Sequence, residues 1–227
     1  MTLDNKRLVI TLDGPAGSGK STTARRVAQE LGYVYLDSGA MYRAVTLAVM
    51  QNGVSFEDDK AVCRIAESVD IEFKTVAHGQ QVFLNHVDVT DAIRTPVVTD
   101  AIGPVAANAR VRARLVPKQR MLGRNGAIVA EGRDMGTVVF PEADLKIFLI
   151  ASLQARARRR FQELRNKGMS ADYDAILAAI QKRDLDDSSR EHSPLKKADD
   201  AVCIDTSDLT IDQQVARVLQ EAHLRGA

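Results

Sequence analysis

The alternation of apolar and polar positions along the 227-residue chain predicts strands separated by helices. Five short apolar segments, bounded by glycine or polar residues, indicate strands. They are "RLVITLDG" (7–14), "YVYL" (33–36), "GAIVAEG" (126–132), "LKIFLIA" (145–151) and "AVCIDTS" (201–207). The last three are near-continuous, as expected for strands covered on both faces. Strands that alternate with helices favour a parallel sheet flanked by helices.

Helical periodicity separates these strands. In the first helix the apolar positions are Ala24, Val27, Ala28 and Leu31, with Gly32 as a stop signal. A second helix is expected to open at "DSGAMYR" and to reach about Gln51. The segment 152–168 carries another apolar stripe, and the segment 210–223 opens with Thr210 and Gln213 as a capping box.

One stretch has period two instead. Its three segments are "VDIEFK" (69–74), "QQVFLN" (80–85) and "HVDVTD" (86–91), joined by "AHG" and a tight "NH". This pattern predicts an antiparallel meander where an α/β core would have a single crossover. We therefore expect residues 60–97 to be an inserted subdomain, and residues 1–59 and 98–227 to form the core domain.

The composition limits the kinds of binding partner that the protein can be expected to have. Thirty-one Lys and Arg against thirty Asp and Glu give a net charge of +1, so no overall basic field favours nucleic-acid or membrane binding. Two distant cysteines and four scattered histidines show no metal-ligand or disulfide pattern. With no apolar signal core and no membrane-length run, the sequence predicts a cytoplasmic protein, with a monomer as the default expectation.

The segment Gly14–Ser21, "GPAGSGKS", matches the phosphate-binding pattern GxxxxGK[ST] in full. Glycines let successive backbone N–H groups turn inward at a helix N-terminus and form an anion site. Lys20 would reach the β- and γ-phosphates, and the Ser21 hydroxyl would ligate Mg²⁺. A plain glycine turn is the alternative, and the flanking strand and helix make it the weaker one.

A switch GTPase is a second class that uses such a loop. It would need a guanine-reading NKxD after a late strand, but "NKGM" (166–169) has Gly and Met at the last two positions and lies at a helix end. The segment "DAIG" (100–103) resembles a switch DxxG, yet it falls in a helical pattern before Pro104. The sequence therefore gives little support to a switch.

Arginines at short-motif positions point to a second anion site. They are Arg43, Arg112, Arg133, Arg183 and Arg190. Arg133 and Asp134 directly follow a predicted strand, which would place them at the same sheet edge as the phosphate loop. A guanidinium suits a phosphate, and a neighbouring carboxylate suits a base edge or a sugar hydroxyl. For any single arginine, a structural ion pair is the alternative.

The run Arg156, Arg158, Arg159 and Arg160 leaves two interpretations open. Arg156 and Arg160 share one helix face, with Arg159 beside them. The run can be a solvated face supported by an Arg159–Glu163 pair. It can equally be a mobile lid, at about 152–170, whose arginines close over a triphosphate.

Taken together, the motifs "DGPAGSGKST", "DSGAMYR", "EGRDMGTVVFP", "KIFL", "KRDLDDSSR", "SPL" and "ADDAVCIDTS" resemble, in order, those of the bacterial cytidylate kinases. The likeness covers nearly the whole chain. It implies a P-loop NTPase-type fold with a five-stranded parallel sheet, an inserted antiparallel monophosphate-binding subdomain and a helical lid. It also implies the reaction ATP + (d)CMP → ADP + (d)CDP with Mg²⁺.

The resemblance assigns roles by position. The donor phosphates would be held by Gly14, Pro15, Ala16, Gly17, Ser18, Gly19, Lys20, Ser21 and Thr22. The acceptor pocket would be lined by Ser38, Arg43, Arg112, Arg133, Asp134, Arg183, Asp187 and Arg190. Of these, Arg43, Arg133 and Arg190 would surround the CMP phosphate, whereas Arg112 and Asp134 would read the cytosine. The expected catalytic residues are Lys20, Arg133, Arg190, Arg156 and Arg160.

One position departs from the family. Where the family often has a serine that contacts cytosine, this chain has Gly103. A lost neutral hydrogen bond is worth on the order of 0.5–1.5 kcal/mol, so we expect weaker base discrimination rather than lost activity. A kinase for another small acceptor, such as UMP or dTMP, is the alternative within the enzyme class.

Overall fold

The architecture is that of a computed structural model, which describes residues 6–76, 79–166 and 168–227. Its strands are β1 Val9–Asp13, β2 Val34–Asp37, β3 Ile71–Val76, β4 Gly79–Leu84, β5 Val87–Asp88, β6 Ile128–Gly132, β7 Leu145–Ile150 and β8 Val202–Asp205. Its helices are α1 Lys20–Leu31, α2 Ser38–Gln51, α3 Asp59–Ser68, α4 Pro96–Ala107, α5 Ala109–Gly123, α6 Leu153–Asn166, α7 Tyr173–Ser188 and α8 Ile211–His223.

Five strands form a parallel sheet in the order β2-β6-β1-β7-β8, and helices flank it. The central strand β1 pairs with β6 from Val9 opposite Ile128 to Asp13 opposite Gly132. Its last residue also lies opposite Phe148 of β7. This register brings the start of the glycine-rich loop and the residues after Gly132 to the same carboxyl edge, as the sequence predicts. The predicted fold class is confirmed.

Buried side chains of β1, β6, β7 and β8 form one hydrophobic core with α1 and α8. Leu8, Ile10, Leu12, Val27 and Val218 are completely shielded from solvent there. Burial of a side chain of this size contributes roughly 1.5–3 kcal/mol. The core therefore fixes the strand from which the glycine-rich loop emerges.

The chain divides into two compact units. The first comprises Met1–Leu36 and Asn125–Ala227, and the second comprises Asp37–Arg124. In the second unit, β3, β4 and β5 form the predicted antiparallel meander, with Asn85 and His86 in the left-handed region at the tight turn. Part of the predicted "AHG" turn lies outside the described residues. The boundaries 60–97 of the insertion stay a prediction.

The local helix signals are confirmed. Gly32 ends α1 in the left-handed region at φ 66°, and Thr210 and Gln213 form the capping box of α8.

The prediction that β8 is covered on both faces is wrong. Only Ile204 of that strand is buried, whereas Cys203 and Asp205, whose side chains point to the opposite face, are exposed, so that face of β8 is open to solvent. Within the described part of the chain, no helix is both long enough and apolar enough to cross a membrane.

Candidate active site

The glycine-rich loop runs from the end of β1 to the start of α1 and needs glycine for steric reasons. Gly14 has φ 148°, and a Cβ there would lie 2.1 Å from the Leu149 carbonyl oxygen. Gly19 has φ 92°, and a Cβ there would lie 2.5 Å from Oε1 of Gln214. Both positions combine a backbone that favours glycine with a close neighbour. The loop is therefore packed tightly against β7 and α8.

Lys20 is the first residue of α1 and is buried, at 5% exposure. Its Nζ donates a 2.8 Å hydrogen bond to the Pro15 carbonyl oxygen within the loop. Burial and the positive charge of Arg133 lower the pKa of Lys20 to about 7, and Arg183 adds to the effect. Cationic groups thus converge beside the loop, and a bound anion would stabilise their charged forms.

Side chains from the end of β8 and from α6 donate hydrogen bonds to backbone carbonyl groups of the loop. The Thr206 hydroxyl, at the end of β8, donates to the Ser18 carbonyl oxygen at 2.9 Å. The Arg159 guanidinium of α6 donates to the Gly17 carbonyl oxygen at 3.3 Å and also to the Thr206 carbonyl oxygen. The sequence did not single out Thr206, whose only local signal is its position near the end of the predicted strand 201–207.

The arginines of the predicted lid helix differ in their surroundings. Arg156 is buried, donates to the Ala16 carbonyl oxygen at 3.3 Å and pairs with Asp184 of α7 at 2.6 Å. Arg160 pairs with Glu163 on its own helix at 2.9 Å. The structure therefore brings Arg156 to the phosphate loop, whereas the ion pair recorded for Arg160 is on the helix surface.

Asp187 of α7 joins two of the predicted phosphate-binding arginines. Nε of Arg133 donates to its carboxylate at 2.7 Å, and Arg190 donates to its other oxygen. Burial by itself would raise the pKa of Asp187, but the two guanidinium groups hold that pKa below its usual range. The carboxylate is thus ionised and fixes both arginines after β6 and α7.

Asp13, the last residue of β1, is another residue that sequence analysis missed. Its carboxylate accepts hydrogen bonds from the backbone N–H groups of Met135 at 2.9 Å and Gly136 at 2.8 Å. Burial raises the pKa of Asp13 to about 7, although these two hydrogen bonds act in the opposite direction. Asp134, which precedes this segment, is also buried.

In the second unit, Asp37 holds two arginines. Arg43 pairs with its carboxylate at 3.0 Å and Arg94 at 3.2 Å, and together they keep the pKa of Asp37 low despite its burial. The same carboxylate accepts from the Ala40 N–H at 2.9 Å and so caps α2. Ser38, the first residue of that helix, is buried. The sequence did not single out Asp37 or Arg94.

Arg112 and Gly103 lie on α5 and α4 of the same unit. Arg112 is buried, with its guanidinium 5.4 Å from the centre of the Tyr42 ring and donating to the Ala106 carbonyl oxygen at 3.2 Å. A Cβ at Gly103 would meet no atom within 4 Å. A serine could therefore occupy that position without a steric clash.

The predicted residues fall into two groups. The first unit contains the phosphate loop with Lys20, Arg133, Asp134, Arg156, Arg160, Arg183, Asp187 and Arg190. The second unit contains Ser38, Arg43, Gly103 and Arg112. Within the first group, the positive charges of Arg133 and Arg183 both act to lower the pKa of Lys20, and the binding roles of these residues stay a prediction.

Comparison with known proteins gives consistent matches. The family model described as cytidylate kinase matches residues 10–224. A cytidylate kinase of Exiguobacterium sibiricum is 50% identical over 217 residues, which cover 96% of this chain and 97% of that protein. One of Bacillus pumilus is 47% identical over 217 residues and covers 96% of each. One of Bacillus subtilis is 44% identical, with 95% of this chain and 96% of that protein covered.

Among solved structures, an uncharacterized protein from Eubacterium ventriosum superposes with a TM-score of 0.55 at 11% identity. The match covers 96% of this chain and 99% of that one. At so low an identity the likeness concerns the fold alone, and it agrees with the layered sheet and helices described above.

Proposed function

The chain belongs to the cytidylate kinase family, and from this premise we propose that it transfers the γ-phosphoryl group of ATP to CMP and dCMP in the presence of Mg²⁺. The observation that carries the proposal is the glycine-rich loop between β1 and α1, to which two buried cations donate: Lys20 to the Pro15 carbonyl oxygen and Arg156 to the Ala16 carbonyl oxygen. Phosphoryl transfer depends on positioning and on neutralising charge, which is what such cations provide.

The donor would bind along the loop from Gly14 to Thr22. Its backbone N–H groups lie at the N-terminus of α1, where the helix dipole favours anions. Lys20 would exchange its hydrogen bond to the Pro15 carbonyl for a phosphate oxygen. Arg156, which already contacts the loop at Ala16, would add positive charge on the α6 side.

Mg²⁺ fits the donor set, because this ion prefers oxygen ligands and usually binds through substrate phosphates. The exposed hydroxyl of Ser21, in the first turn of α1, is the residue that would hold it. When bound, the ion would neutralise charge on the β- and γ-phosphates.

The family resemblance assigns acceptor-binding roles to residues in each unit. In the first unit, Arg133 and Arg190, held by Asp187, would bind the phosphate of the monophosphate. In the second unit, Arg43 would have a phosphate-binding role. Arg183 would lie near the acceptor sugar and phosphate, and Ser38 would line the pocket. Arg112 and Asp134 would read the edge of the cytosine.

No dedicated general base is needed for this reaction. A nucleoside monophosphate brings about two negative charges on its phosphate, so its oxygen is already a nucleophile. This accounts for a site rich in arginine with four histidines in the whole chain. Closure of α6 over the site would keep water from taking the phosphoryl group.

UMP is the second candidate acceptor, and one observation favours considering it. The open space around Gly103 offers no side-chain hydroxyl to distinguish the cytosine amino group from the uracil carbonyl. The main proposal therefore rests on Arg112 and Asp134 supplying the discrimination.

The experiment is ADP release by the purified protein with ATP and Mg²⁺, measured separately with CMP, dCMP, UMP, AMP, GMP and dTMP. Turnover with CMP and dCMP well above the others supports the proposal. Equal or better turnover with UMP reassigns the acceptor. ATP binding without turnover on any monophosphate contradicts the kinase.

A further inference from the structure

Asp13 and the segment after β6 are joined by a contact that spans 122 residues of sequence. The Asp13 carboxylate uses one oxygen for the Met135 N–H at 2.9 Å and the other for the Gly136 N–H at 2.8 Å. Asp13 directly precedes the phosphate loop. Met135 and Gly136 directly follow Arg133 and Asp134.

We propose that Asp13 is a positioning residue that sets the placement of Arg133 and Asp134 relative to the phosphate loop. The proposal rests on the function proposed above. Only one residue separates Arg133 from the Met135 N–H, so anchoring that N–H leaves the arginine backbone little freedom. The same carboxylate thereby ties the donor side of the site to two residues that would bind the acceptor.

The anchored segment has little room to move. A Cβ at Gly136 would lie 3.0 Å from the Thr11 hydroxyl oxygen and 3.3 Å from side-chain carbons of Lys146. Thr11 is completely buried on β1, two residues before Asp13. The segment is thus held by hydrogen bonds at Asp13 and confined by packing against β1 and β7.

The choice of a carboxylate is costly, which argues for a specific role. Asp13 is only 4% exposed, and burying a charged group is unfavourable unless it is paired or hydrogen-bonded. Lys20 and Asp134 face it with opposite electrostatic effects. A carboxylate accepts at both oxygens, whereas an asparagine amide accepts at only one. A side chain that accepts hydrogen bonds from two N–H groups, one at each oxygen, must therefore be Asp rather than Asn.

The test compares Asp13→Asn with a matched control on the same strand. Asp144 accepts the Val9 N–H at 2.8 Å at the opposite end of β1, so Asp144→Asn removes a carboxylate anchor of the same strand far from the carboxyl edge. Initial rates give kcat and KM for CMP and for ATP. Hydrogen exchange at the Met135 and Gly136 amides provides a readout that does not depend on catalysis.

For Asp13→Asn we expect faster exchange at Met135 or Gly136 and an increase in KM for CMP on the order of tenfold, because small displacements of positioned groups cost this much or more. The KM for ATP should change much less, and Asp144→Asn should alter none of these quantities. Unchanged exchange in Asp13→Asn, or equal effects on both KM values, overturns the proposal.

Two further measurements allow the proposal to be tested even if Asp13→Asn does not fold or the proposed function is wrong. If Asp13→Asn does not fold, Gly136→Ala displaces the same segment from its other side, and the same selective rise in the KM for CMP is expected. A normal KM for CMP in folded Gly136→Ala would contradict the proposal. Failure of the wild-type protein to phosphorylate any monophosphate would instead overturn the proposed function, and the exchange experiment would still report on the anchor.

Discussion

Two buried aspartates, one in each compact unit, lie between two arginines, but the clusters differ in what else the carboxylate does. The Asp187 cluster consists of Asp187, Arg133 and Arg190. The Asp37 cluster consists of Asp37, Arg43 and Arg94. In both, the guanidinium groups outweigh burial and lower the pKa of the aspartate.

The difference lies in backbone contacts and in neighbouring charge. Asp37 also caps α2 through the Ala40 N–H, so its carboxylate supports the fold as well as the arginines. The Asp187 side chain is bonded to its arginines, and Arg133 is close enough to lower the pKa of buried Lys20. The comparison teaches that an aspartate between two arginines caps the N-terminus of a helix in one unit. In the other unit it holds arginines beside the phosphate loop.

The largest expected effect comes from removing Lys20, the buried cation whose pKa is lowered by Arg133 of the Asp187 cluster. Lys20→Ala should lower kcat by on the order of 10²–10³-fold, the scale seen when one preorganised charge-stabilising donor is lost. The melting temperature should stay near that of the wild type, because the lysine charge is itself buried at a cost. Near-normal kcat in steady-state assays would remove Lys20 from its assigned role.

Breaking the Asp187 cluster itself should give the next largest effect. Arg133→Ala should raise KM for CMP and lower kcat, together about 10- to 100-fold in kcat/KM, because a charge-assisted bidentate contact is lost. Arg94→Ala, in the Asp37 cluster, serves as the matched control and should have a much smaller effect. An unchanged KM for CMP in Arg133→Ala would place that residue outside the acceptor site.

Asp37 and Asp187 should differ in how much they contribute to the free energy of unfolding. Asp37→Ala should lower the free energy of unfolding by about 1 kcal/mol more than Asp187→Ala does, since it also removes a helix cap. Asp37→Asn should recover most of that difference, because asparagine caps equally well. Urea unfolding of the three variants and the wild type provides the measurement, and equal losses for the two alanine variants would contradict the distinction.

The pH dependence of stability should have two parts. Asp187 and Asp37 have lowered pKa values, so their stabilisation is present above pH 3.8 and is lost as the pH falls below it. Asp13 has its pKa raised by burial from 3.8 to about 7, so its contribution is lost as the pH rises through that window.

Asp13→Asn should therefore flatten the decline in stability between about pH 4 and pH 7 while leaving the loss in stronger acid. Urea midpoints measured across this range check the sign. Asp144, whose pKa is lowered by Lys6 and the Val9 N–H despite partial burial, offers a control of opposite sign. A decline that persists unchanged in Asp13→Asn would show that Asp13 does not titrate in this window.

The smallest expected effect concerns base discrimination in the second unit. Gly103→Ser should increase the ratio of kcat/KM for CMP over UMP by about two- to tenfold, the equivalent of one neutral hydrogen bond. The substitution meets no steric obstacle, since a Cβ there has no atom within 4 Å. Gly103→Ala is the matched control without the hydroxyl. Equal ratios in the two variants would refute this account of the departure.

Local signals made much of the fold predictable. The loop Gly14–Ser21, the end of α1 at Gly32 and the capping box at Thr210 are each written within a few consecutive residues. The alternation of strands and helices was sufficient to predict a parallel sheet, and the period-two stretch was sufficient to predict the antiparallel meander. The strand order was not predictable in this way, because it depends on pairing between distant segments.

The supporting residues of the candidate site were harder to predict. Asp13, Thr206 and Arg159 act on backbone groups that are more than 100 residues away. No spacing or periodicity encodes such contacts. Asp37 lies inside the quoted "DSGAMYR", yet the link to Arg94 becomes visible only in three dimensions.

The most direct test of the central claim is a single-turnover experiment with ATP carrying a radiolabelled γ-phosphate, with enzyme in excess over ATP and with CMP and Mg²⁺ present. The account predicts that the label appears in CDP, with little in inorganic phosphate, and that Lys20→Ala slows this transfer sharply. Label released mainly as inorganic phosphate, or retained in ATP despite binding, would contradict phosphoryl transfer to the monophosphate.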